Sequence, residues 1–272
     1  FGTQWTAEGV DASLSLDQNG DALIEAVASA NKNTVVVLET GGPVLMPWLS
    51  KTRAVLETWY PGSNGGTAIA RVLTGAVSPS GRLPVTFPAS LDQLPRPVLD
   101  GLGKPDRPVT QINYDIEGAA VGYKWFDKQK LQPLFAFGHG LTYSSFTYKN
   151  LKADMRDGNL SVSLAVTNTG KREAADVPQI YVSAPEGAGW EAPKRLAGWD
   201  KVALKPGQSK AVTLSVDPRT LSTFDPATRT WQLKAGTYSV VVGTSAASLG
   251  KAVEVALPEA TFDIRGQKMK AN

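Results

Sequence analysis

The pattern of hydrophobic and polar positions changes character about halfway along this chain. Early on, apolar positions recur at helical spacing in Leu23, Ile24 and Val27, and a continuous β-branched run follows at 34–38. Such a run is typical of a strand that is buried on both faces of a sheet flanked by helices. The pattern predicts alternating helices and strands, with Asn19 among the residues that cap the first helix.

Two further strands and a second helix are predicted before residue 88. Residues 54–60 and 83–87 have the apolar content of strands, and a short helix follows the glycine-rich segment 62–66. A glycine-rich loop could bind phosphate, but no Lys-Ser/Thr pair follows this one. We therefore interpret 62–66 as a tight turn from strand to helix.

Between residues 88 and 114 the chain carries five prolines, which makes regular structure there unexpected. A loop of this length in a compact protein is usually functional or covers a neighbouring domain. The segments 122–126 and 133–148 that follow are rich in aromatic residues and glycine. They have the character of chain packed between two domains.

From about residue 150 the pattern is that of an all-β domain. Val162, Leu164 and Val166 alternate with small or polar residues and the strand ends at Asn168, as expected of a half-buried strand. Further strands are predicted at 179–182, 209–216 and 237–242. About seven short strands with regular turns and no disulfide indicate a fibronectin type III-like β-sandwich. After Pro258 a polar, loosely held tail is expected.

Composition narrows the possible functions. The chain has 272 residues and a net charge of +3, with its basic residues scattered, so no nucleic-acid interface is expected. No apolar run is long enough to span a bilayer, so no membrane partner is expected. Cysteine is absent and His139 is the single histidine. Thiolate chemistry and a multi-histidine metal site are therefore excluded, and no metal or cofactor is expected.

Several motifs occur in a fixed order along the chain. They are Glu8-Gly9…Asp11…Leu14-Ser15-Leu16, Gly41-Gly42-Pro43-Val44, Trp59-Tyr60-Pro61-Gly62…Gly65-Gly66, the run 79–88 (PSGRLPVTFP) and the run 133–141 (PLFAFGHGL). In this order, and followed by a sandwich, they resemble glycoside hydrolase family 3, the β-glucosidases and related exo-acting enzymes.

The resemblance implies a three-part enzyme: a (β/α) barrel with the nucleophilic aspartate, an α/β domain with the general acid/base, and a fibronectin-like domain. Matched to it, residues 1–88 are the later part of the α/β sandwich domain and 89–148 a Pro- and aromatic-rich connecting segment. Residues 149–257 are then the fibronectin type III-like domain and 258–272 a C-terminal tail. The chain opens on Phe1, and we interpret it as a C-terminal portion that lacks the barrel and is inactive alone.

The resemblance also assigns residues to the chemistry. A retaining glycosidase needs one carboxyl group that attacks the anomeric carbon and another that protonates the leaving oxygen. The Glu-Gly-x-Asp motif matches Glu8, Gly9 and Asp11, so Glu8 is the candidate general acid/base. Gly9 would permit the backbone angle that aims it, and Asp11 would orient the loop or be an ordinary turn residue. Trp5 would stack on a sugar or pack the loop. Many members have Asp-Arg where this chain has Asp11-Ala12.

Other residues compete for functional roles. Glu117, in a second Glu-Gly pair, is a weaker candidate acid/base, and a lone histidine such as His139 is more often a packing residue than a catalyst. Trp190, Trp199 and Trp231 could form a carbohydrate platform, although such residues are more often part of a core.

The predicted function is that of a C-terminal part of a retaining exo-β-glycosidase, such as a β-glucosidase, that removes terminal non-reducing β-D-glucosyl residues. Its substrate would be a β-linked gluco-oligosaccharide or an aryl or alkyl glucoside, its partner the barrel, and its location periplasmic or secreted. The alternatives are a non-catalytic carbohydrate-binding module and a structural docking module, the latter favoured by an exposed apolar face around 135–148.

Overall fold

A computed structural model describes residues 14–98, 112–156 and 159–269. The described residues form two compact units. The first unit contains 14–76, 85–98, 112–117 and 132–135, and the second contains 77–84, 118–131, 136–156 and 159–269.

The described helices and strands are as follows. The α-helices are α1 (Gly20–Ala30), α2 (Gly65–Leu73), α3 (Tyr123–Gln129) and the single turn α4 (Pro218–Leu221), with 3₁₀ turns at Leu49–Lys51 and Leu91–Gln93. The strands are β1 (Val35–Leu38), β2 (Ala54–Glu57), β3 (Phe146–Arg156), β4 (Asn159–Asn168), β5 (Ala174–Asp176), β6 (Gln179–Ser183), β7 (Arg195–Trp199), β8 (Val202–Leu204), β9 (Ser209–Ser215), β10 (Thr223–Asp225), β11 (Thr230–Leu233), β12 (Gly236–Ser245), β13 (Ser248–Leu249), β14 (Val253–Leu257) and β15 (Ala260–Phe262).

The first unit is built on two parallel strands. β1 and β2 pair in parallel, with Val35 opposite Ala54 and Leu38 opposite Glu57. The helices α1 and α2 lie where the sequence predicts them. The prediction that β1 is buried on both faces is wrong for the described residues, because its side chains alternate: Val36 and Leu38 are buried and Val35 is exposed.

The cap predicted for α1 is also wrong. Asn19 has a left-handed φ of 60° and its side chain makes no capping hydrogen bond. A capping side chain reaches the first helical N–H groups from an extended residue, and Asn19 lacks that conformation. The acidic Asp21 in the first turn instead accepts a hydrogen bond of 2.6 Å from the Trp48 indole nitrogen, Nε1. This contact attaches the beginning of α1 to the 3₁₀ turn that follows Trp48.

The third predicted strand, 83–87, does not form. Phe87 makes an isolated antiparallel bridge to Phe135 in the first unit, and Leu83 exchanges hydrogen bonds with Gly138 and His139 in the second. Pro84 and Pro88 cannot donate backbone hydrogen bonds, so a regular ladder cannot run through this segment. The second predicted strand is also shorter than expected, since β2 ends at Glu57 rather than at Tyr60.

The second unit is a β-sandwich. One sheet has the order β3-β4-β9 and another has the order β13-β12-β6-β7, with β14 also paired to β12. The unit also contains a three-stranded sheet of order β10-β11-β15 and a two-stranded sheet of β5 and β8. The strands predicted at 179–182, 209–216 and 237–242 are confirmed as β6, β9 and β12.

The sandwich core follows directly from the alternating pattern. In β4 every second side chain from Leu160 to Asn168 is buried, and in β12 the buried positions include Tyr238, Val240 and Val242. These apolar side chains belong to one hydrophobic cluster. Burial of alternate positions on both sheets stabilises the sandwich at roughly 25 cal/mol for each Å² of apolar surface removed from water.

One expectation for the second unit is wrong. The described residues after Pro258, 259–269, are not a loose tail, because β15 pairs with β11 and Phe262 is buried in the core cluster. The helix α3, for which the sequence analysis made no prediction, begins after Gly122, whose φ is 57°. Among the described residues, no helix is long and apolar enough to cross a membrane.

Candidate functional site

The four residues that the sequence singles out for substrate chemistry, Trp5, Glu8, Gly9 and Asp11, lie outside the described residues. The first described residue after them is Leu14. Its carbonyl oxygen accepts a hydrogen bond of 2.8 Å from the backbone N–H of Leu45. Leu45 belongs to the loop that follows β1, so Leu14 lies beside that loop.

The carboxyl ends of β1 and β2 and the residues that follow them form one edge of the sheet. We call it the carboxyl edge and define it as Thr40, Glu57, Thr58, Trp59 and Tyr60. Thr58 joins the two strand ends, because its N–H and its Oγ1 both donate to the carbonyl of Leu38, at 2.9 and 2.7 Å. In open α/β sheets, ligands bind outside the carboxyl ends of parallel strands. The position of this edge therefore makes it the candidate functional region of the first unit.

Glu57 is the central side chain of the carboxyl edge. One carboxyl oxygen, Oε1, accepts the backbone N–H of Trp59 at 2.8 Å, and the other, Oε2, accepts the hydroxyl of Thr40 at 3.1 Å. The backbone N–H groups of Thr40 and Thr58 also interact with the carboxylate. One carboxyl group thus binds the loops that follow both strands.

Burial raises the pKa of Glu57 above its usual value of 4.5, and it outweighs the opposing effect of the hydrogen bonds from Trp59 and Thr40. Removal of a carboxylate from water disfavours its charged form. A half-buried carboxyl group with a raised pKa at the end of a strand is an unusual feature that marks candidate functional sites.

Trp59 has a left-handed backbone, with φ of 52°, which is rare for a bulky residue. Its N–H is held by Glu57, and its ring packs against Phe87 with centroids 6.0 Å apart. The next residue, Tyr60, is exposed over two thirds of its surface. The strained conformation is thus fixed on both sides, and it directs the chain so that Tyr60 faces solvent.

Glu117, the rival acid/base, is bound in an ion pair. Its two carboxyl oxygens each accept a hydrogen bond of 2.5 Å from the guanidinium of Arg96, which also donates to the carbonyl of Asn113. The hydrogen bond from Arg96 lowers the pKa of Glu117 below 4.5, against the opposing effect of burial. An ionised, fully paired carboxylate is unsuited to donate a proton, so Glu117 has a structural role.

The backbone at Gly138 and His139 is hydrogen-bonded to other parts of the second unit. The side chain of Gln179 donates to the carbonyl of Gly138 at 3.0 Å, and the carbonyl of His139 accepts the N–H of Leu83. Burial, followed by the charge of Arg82, lowers the pKa of His139 below 6.5, so the imidazole is neutral at pH 7. The residue packs and hydrogen-bonds, as the sequence suggests.

The three tryptophans of the sandwich do not share one environment. Trp190 lies under the guanidinium of Arg195 at 4.2 Å, and Trp231 packs against Phe224 with centroids 5.1 Å apart. Trp199 is exposed. Two of the three therefore have packing roles, and a platform formed by all three is not supported.

In the segment around 135–148, which the sequence analysis considered for docking, Leu141 and Tyr143 are exposed.

The remaining candidates are structural. The glycine-rich segment 62–66 is a turn into a helix: the N–H of Gly65 donates to the carbonyl of Gly62, and α2 begins at Gly65. Within the part of the chain that the structure describes, no cluster of three or more His, Asp or Glu side chains could hold a metal ion.

Comparison with known proteins identifies the family. Residues 1–143 match the model of the glycosyl hydrolase family 3 C-terminal domain, and residues 176–246 match that of the fibronectin type III-like domain. The chain belongs to glycosyl hydrolase family 3, with its α/β part followed by a fibronectin type III-like sandwich.

Its relatives include β-glucosidases of fungi and bacteria. The chain is 41% identical to beta-glucosidase B of Emericella nidulans, over 93% of this chain and 31% of that protein. It is 40% identical to a beta-glucosidase of Rhizobium radiobacter, over 94% of this chain and 31% of that protein. The chain therefore spans about a third of the length of these curated relatives.

Solved structures show the same fold. DesR, a beta-glucosidase from Streptomyces venezuelae determined in complex with D-glucose, is 44% identical with a TM-score of 0.80, over 90% of this chain and 31% of that one. Beta-glucosidase 3B from Thermotoga neapolitana, in complex with glucose, is 32% identical with a TM-score of 0.81, over 92% of this chain and 35% of that one.

The sequence analysis quoted Tyr60 only as part of a family motif, and it assigned no chemical role to Glu57 or Tyr60. The signal was present, since Glu57 ends a predicted strand of a parallel sheet and an aromatic pair follows it. The predicted strand continued to Tyr60, so Glu57 was placed inside the strand. Its position at the carboxyl end, next to a loop, was therefore not recognised.

Proposed function

We propose that this chain supplies the general acid/base of a retaining exo-β-glycosidase, most specifically a β-glucosidase, and that Glu8 is that residue. Membership of glycosyl hydrolase family 3 is the observation that carries the proposal, together with the Glu8-Gly9-x-Asp11 motif. The relatives named beta-glucosidase, and the two solved ones that hold glucose, support a glucoside as substrate.

The nucleophile in this proposal is an aspartate on a (β/α) barrel, the part of the enzyme to which these residues would be joined or bound. Glu8 protonates the leaving oxygen in the first step and removes a proton from water in the second. Because the reaction needs both carboxyl groups, we expect no hydrolysis from these 272 residues alone. Substrates would be β-linked gluco-oligosaccharides or aryl and alkyl glucosides, and a periplasmic or secreted location stays a prediction.

Two features of the described residues support this assignment indirectly. The rival Glu117 is engaged by Arg96 and held ionised. Leu14, the first described residue after the Glu8 motif, accepts a hydrogen bond from Leu45 in the loop after β1. This loop adjoins the carboxyl edge, where ligands of such sheets bind.

The test is Glu8→Gln in the barrel-containing enzyme, which keeps the size of the side chain but cannot donate a proton. We expect kcat on an aryl β-glucoside to fall by about 10² to 10⁴, the usual contribution of general acid–base catalysis. The matched control is Glu254→Gln, which removes the same charge from an exposed residue of β14 in the second unit. Full activity of Glu8→Gln, with the control also active, would reject the assignment.

A further inference from the structure

The segment 77–84 falls within the match to the family 3 C-terminal domain, but in the structure it belongs to the second unit, the sandwich. Hydrogen bonds fix it at both ends. The carbonyl of Leu83 accepts the N–H of Gly138 at 2.8 Å, and the hydroxyl of Ser78 accepts the N–H of Tyr143 at 2.9 Å. The sequence boundary of the sandwich domain therefore leaves out a segment that the unit contains.

The segment also approaches the run 137–141 more closely than a side chain would permit. A Cβ atom at Gly140 would lie 2.3 Å from the carbonyl oxygen of Gly81 and 3.0 Å from side-chain atoms of Arg82. Because the interior of a protein is close-packed, any larger residue at this position has to displace the segment. The lack of a side chain at Gly140 is thus a condition for the docking of 77–84.

The single charged residue of the segment, Arg82, enters the interior of the unit. Its guanidinium pairs with the carboxylate of Asp176 in β5, and the two side chains are only 9% and 5% exposed. One carboxylate oxygen, Oδ1, accepts Nη2 of Arg82, and the other, Oδ2, accepts the hydroxyl of Tyr148 in β3 at 2.5 Å. The carboxylate thus connects the segment to two strands of the sandwich.

Each member of this ion pair depends on the other for its burial. An ionised carboxylate that is removed from water without a counter-ion is strongly unfavourable, and loss of one partner is more damaging than loss of both. Nε of Arg82 is also buried and has no hydrogen-bond partner among the described residues, so the guanidinium likewise loses solvation. The two charges are tolerated in the interior because they lie together, although one comes from the segment and the other from β5.

We propose that the segment 77–84 completes the sandwich, because Arg82 supplies the counter-ion that allows Asp176 to be buried. When the segment is displaced, the carboxylate is left uncompensated, so β3 and β5 lose order together with the segment. The fibronectin type III-like sandwich is then not a separable module, since its order depends on residues from the α/β part of the sequence. This coupling is independent of the role proposed for Glu8.

Native-state hydrogen exchange of the full chain, followed by mass spectrometry, tests the coupling. For Arg82→Met we expect the amides of β3 and β5 to exchange at least about tenfold faster than in the wild type, because the replacement keeps the length of the side chain but not its charge. When Arg82→Met is combined with Asp176→Asn, protection should largely return, since no buried charge is then unpaired. Gly140→Ala should loosen the same strands, because its methyl group displaces Gly81.

The matched control is Arg219→Met. Arg219 pairs with Asp217 at 2.6 Å in the same unit, but the side chains are 42% and 44% exposed, so exchange in β3 and β5 should change less than about threefold. Unchanged protection of both strands in Arg82→Met, or a double variant as poorly protected as the single one, would overturn the proposal. If Arg82→Met does not fold, the double variant decides: a folded double variant supports the proposal, and an unfolded one overturns it.

Discussion

At the scale of single residues, Gly138 shows why the run from Phe137 to Leu141 has so little freedom. A Cβ atom at Gly138 would lie 2.0 Å from the side-chain oxygen of Gln179, and the residue has a φ of 79°. Gln179 is buried and donates to the carbonyl of the same glycine. Any side chain here would displace that amide and strain the backbone.

We therefore expect Gly138→Ala to lower the free energy of unfolding by about 3 kcal/mol, from backbone strain and the lost hydrogen bond. Denaturant unfolding monitored by tryptophan fluorescence measures it. The control is Gly81→Ala, because a Cβ there meets nothing within 4 Å and Gly81 has no positive φ. The control should change stability by less than about 0.5 kcal/mol. Equal effects of the two substitutions would contradict this explanation.

The chemical roles of individual acids could be predicted from sequence only in part. The lower ranking of Glu117 agrees with its ion pair to Arg96, but a partner 21 positions away could not be read from spacing. Glu57 was missed because its raised pKa depends on burial and on the conformation of Trp59. Neither property is local in the sequence. Glu8, Trp5, Gly9 and Asp11 stay predictions.

At the scale of elements, α3 is attached to the sandwich by a charged cluster around Glu191. Its carboxyl oxygens accept Lys124 of α3 at 2.6 Å and Arg195 of β7 at 2.5 Å. Arg195 also donates to the carbonyls of Thr220 and Ser222. Burial acts to raise the pKa of Glu191, but the hydrogen bonds from Arg195 and Lys124 outweigh it and lower the pKa to about 2.

This shift predicts how stability depends on pH. The folded pKa of about 2 lies below the usual value of 4.5, so the stabilisation is complete above pH 4.5 and is lost as the pH falls towards 2. Glu191→Gln should lower the free energy of unfolding by about 2 kcal/mol at neutral pH. The difference from the wild type should narrow as the pH falls below 4.5.

Denaturant titrations at several pH values check the Glu191 prediction. The control is Glu254→Gln, which removes the same charge from an exposed residue of β14. It should change the free energy of unfolding only slightly at every pH. A gap between wild type and Glu191→Gln that stayed constant or widened at low pH would show that the ion pairs do not act as described.

Regular elements were the part of the fold that the sequence predicted best. The periodic segments became α1, α2, β4, β6, β9 and β12, because their apolar spacing matches the face that they bury. The failures have physical causes. Proline prevented a regular ladder at 83–87, and a pairing with β11 that the sequence pattern does not indicate ordered β15.

At the scale of the whole molecule, the chain combines two units and spans about a third of its relatives' length. The motifs and their order along the chain were sufficient to indicate the family, because the runs 79–88 and 133–141 are long and specific. Backbone hydrogen bonds join the two runs, from Leu83 to Gly138 and His139 and from Phe87 to Phe135. The catalytic assignment is a proposal beyond family membership, because it requires Glu8 to act together with a nucleophile on another part of the enzyme.

The central claim is that Glu8 protonates the leaving oxygen, and the dependence of Glu8→Gln on the leaving group tests it most directly. The value of kcat/KM reports the first step, in which a poor leaving group needs a proton and a strongly acidic one does not. We predict a loss of about 10² to 10⁴ in kcat/KM for a methyl or phenyl β-glucoside and a loss of only about a few-fold for the dinitrophenyl β-glucoside. An equal loss on all these substrates would contradict the account.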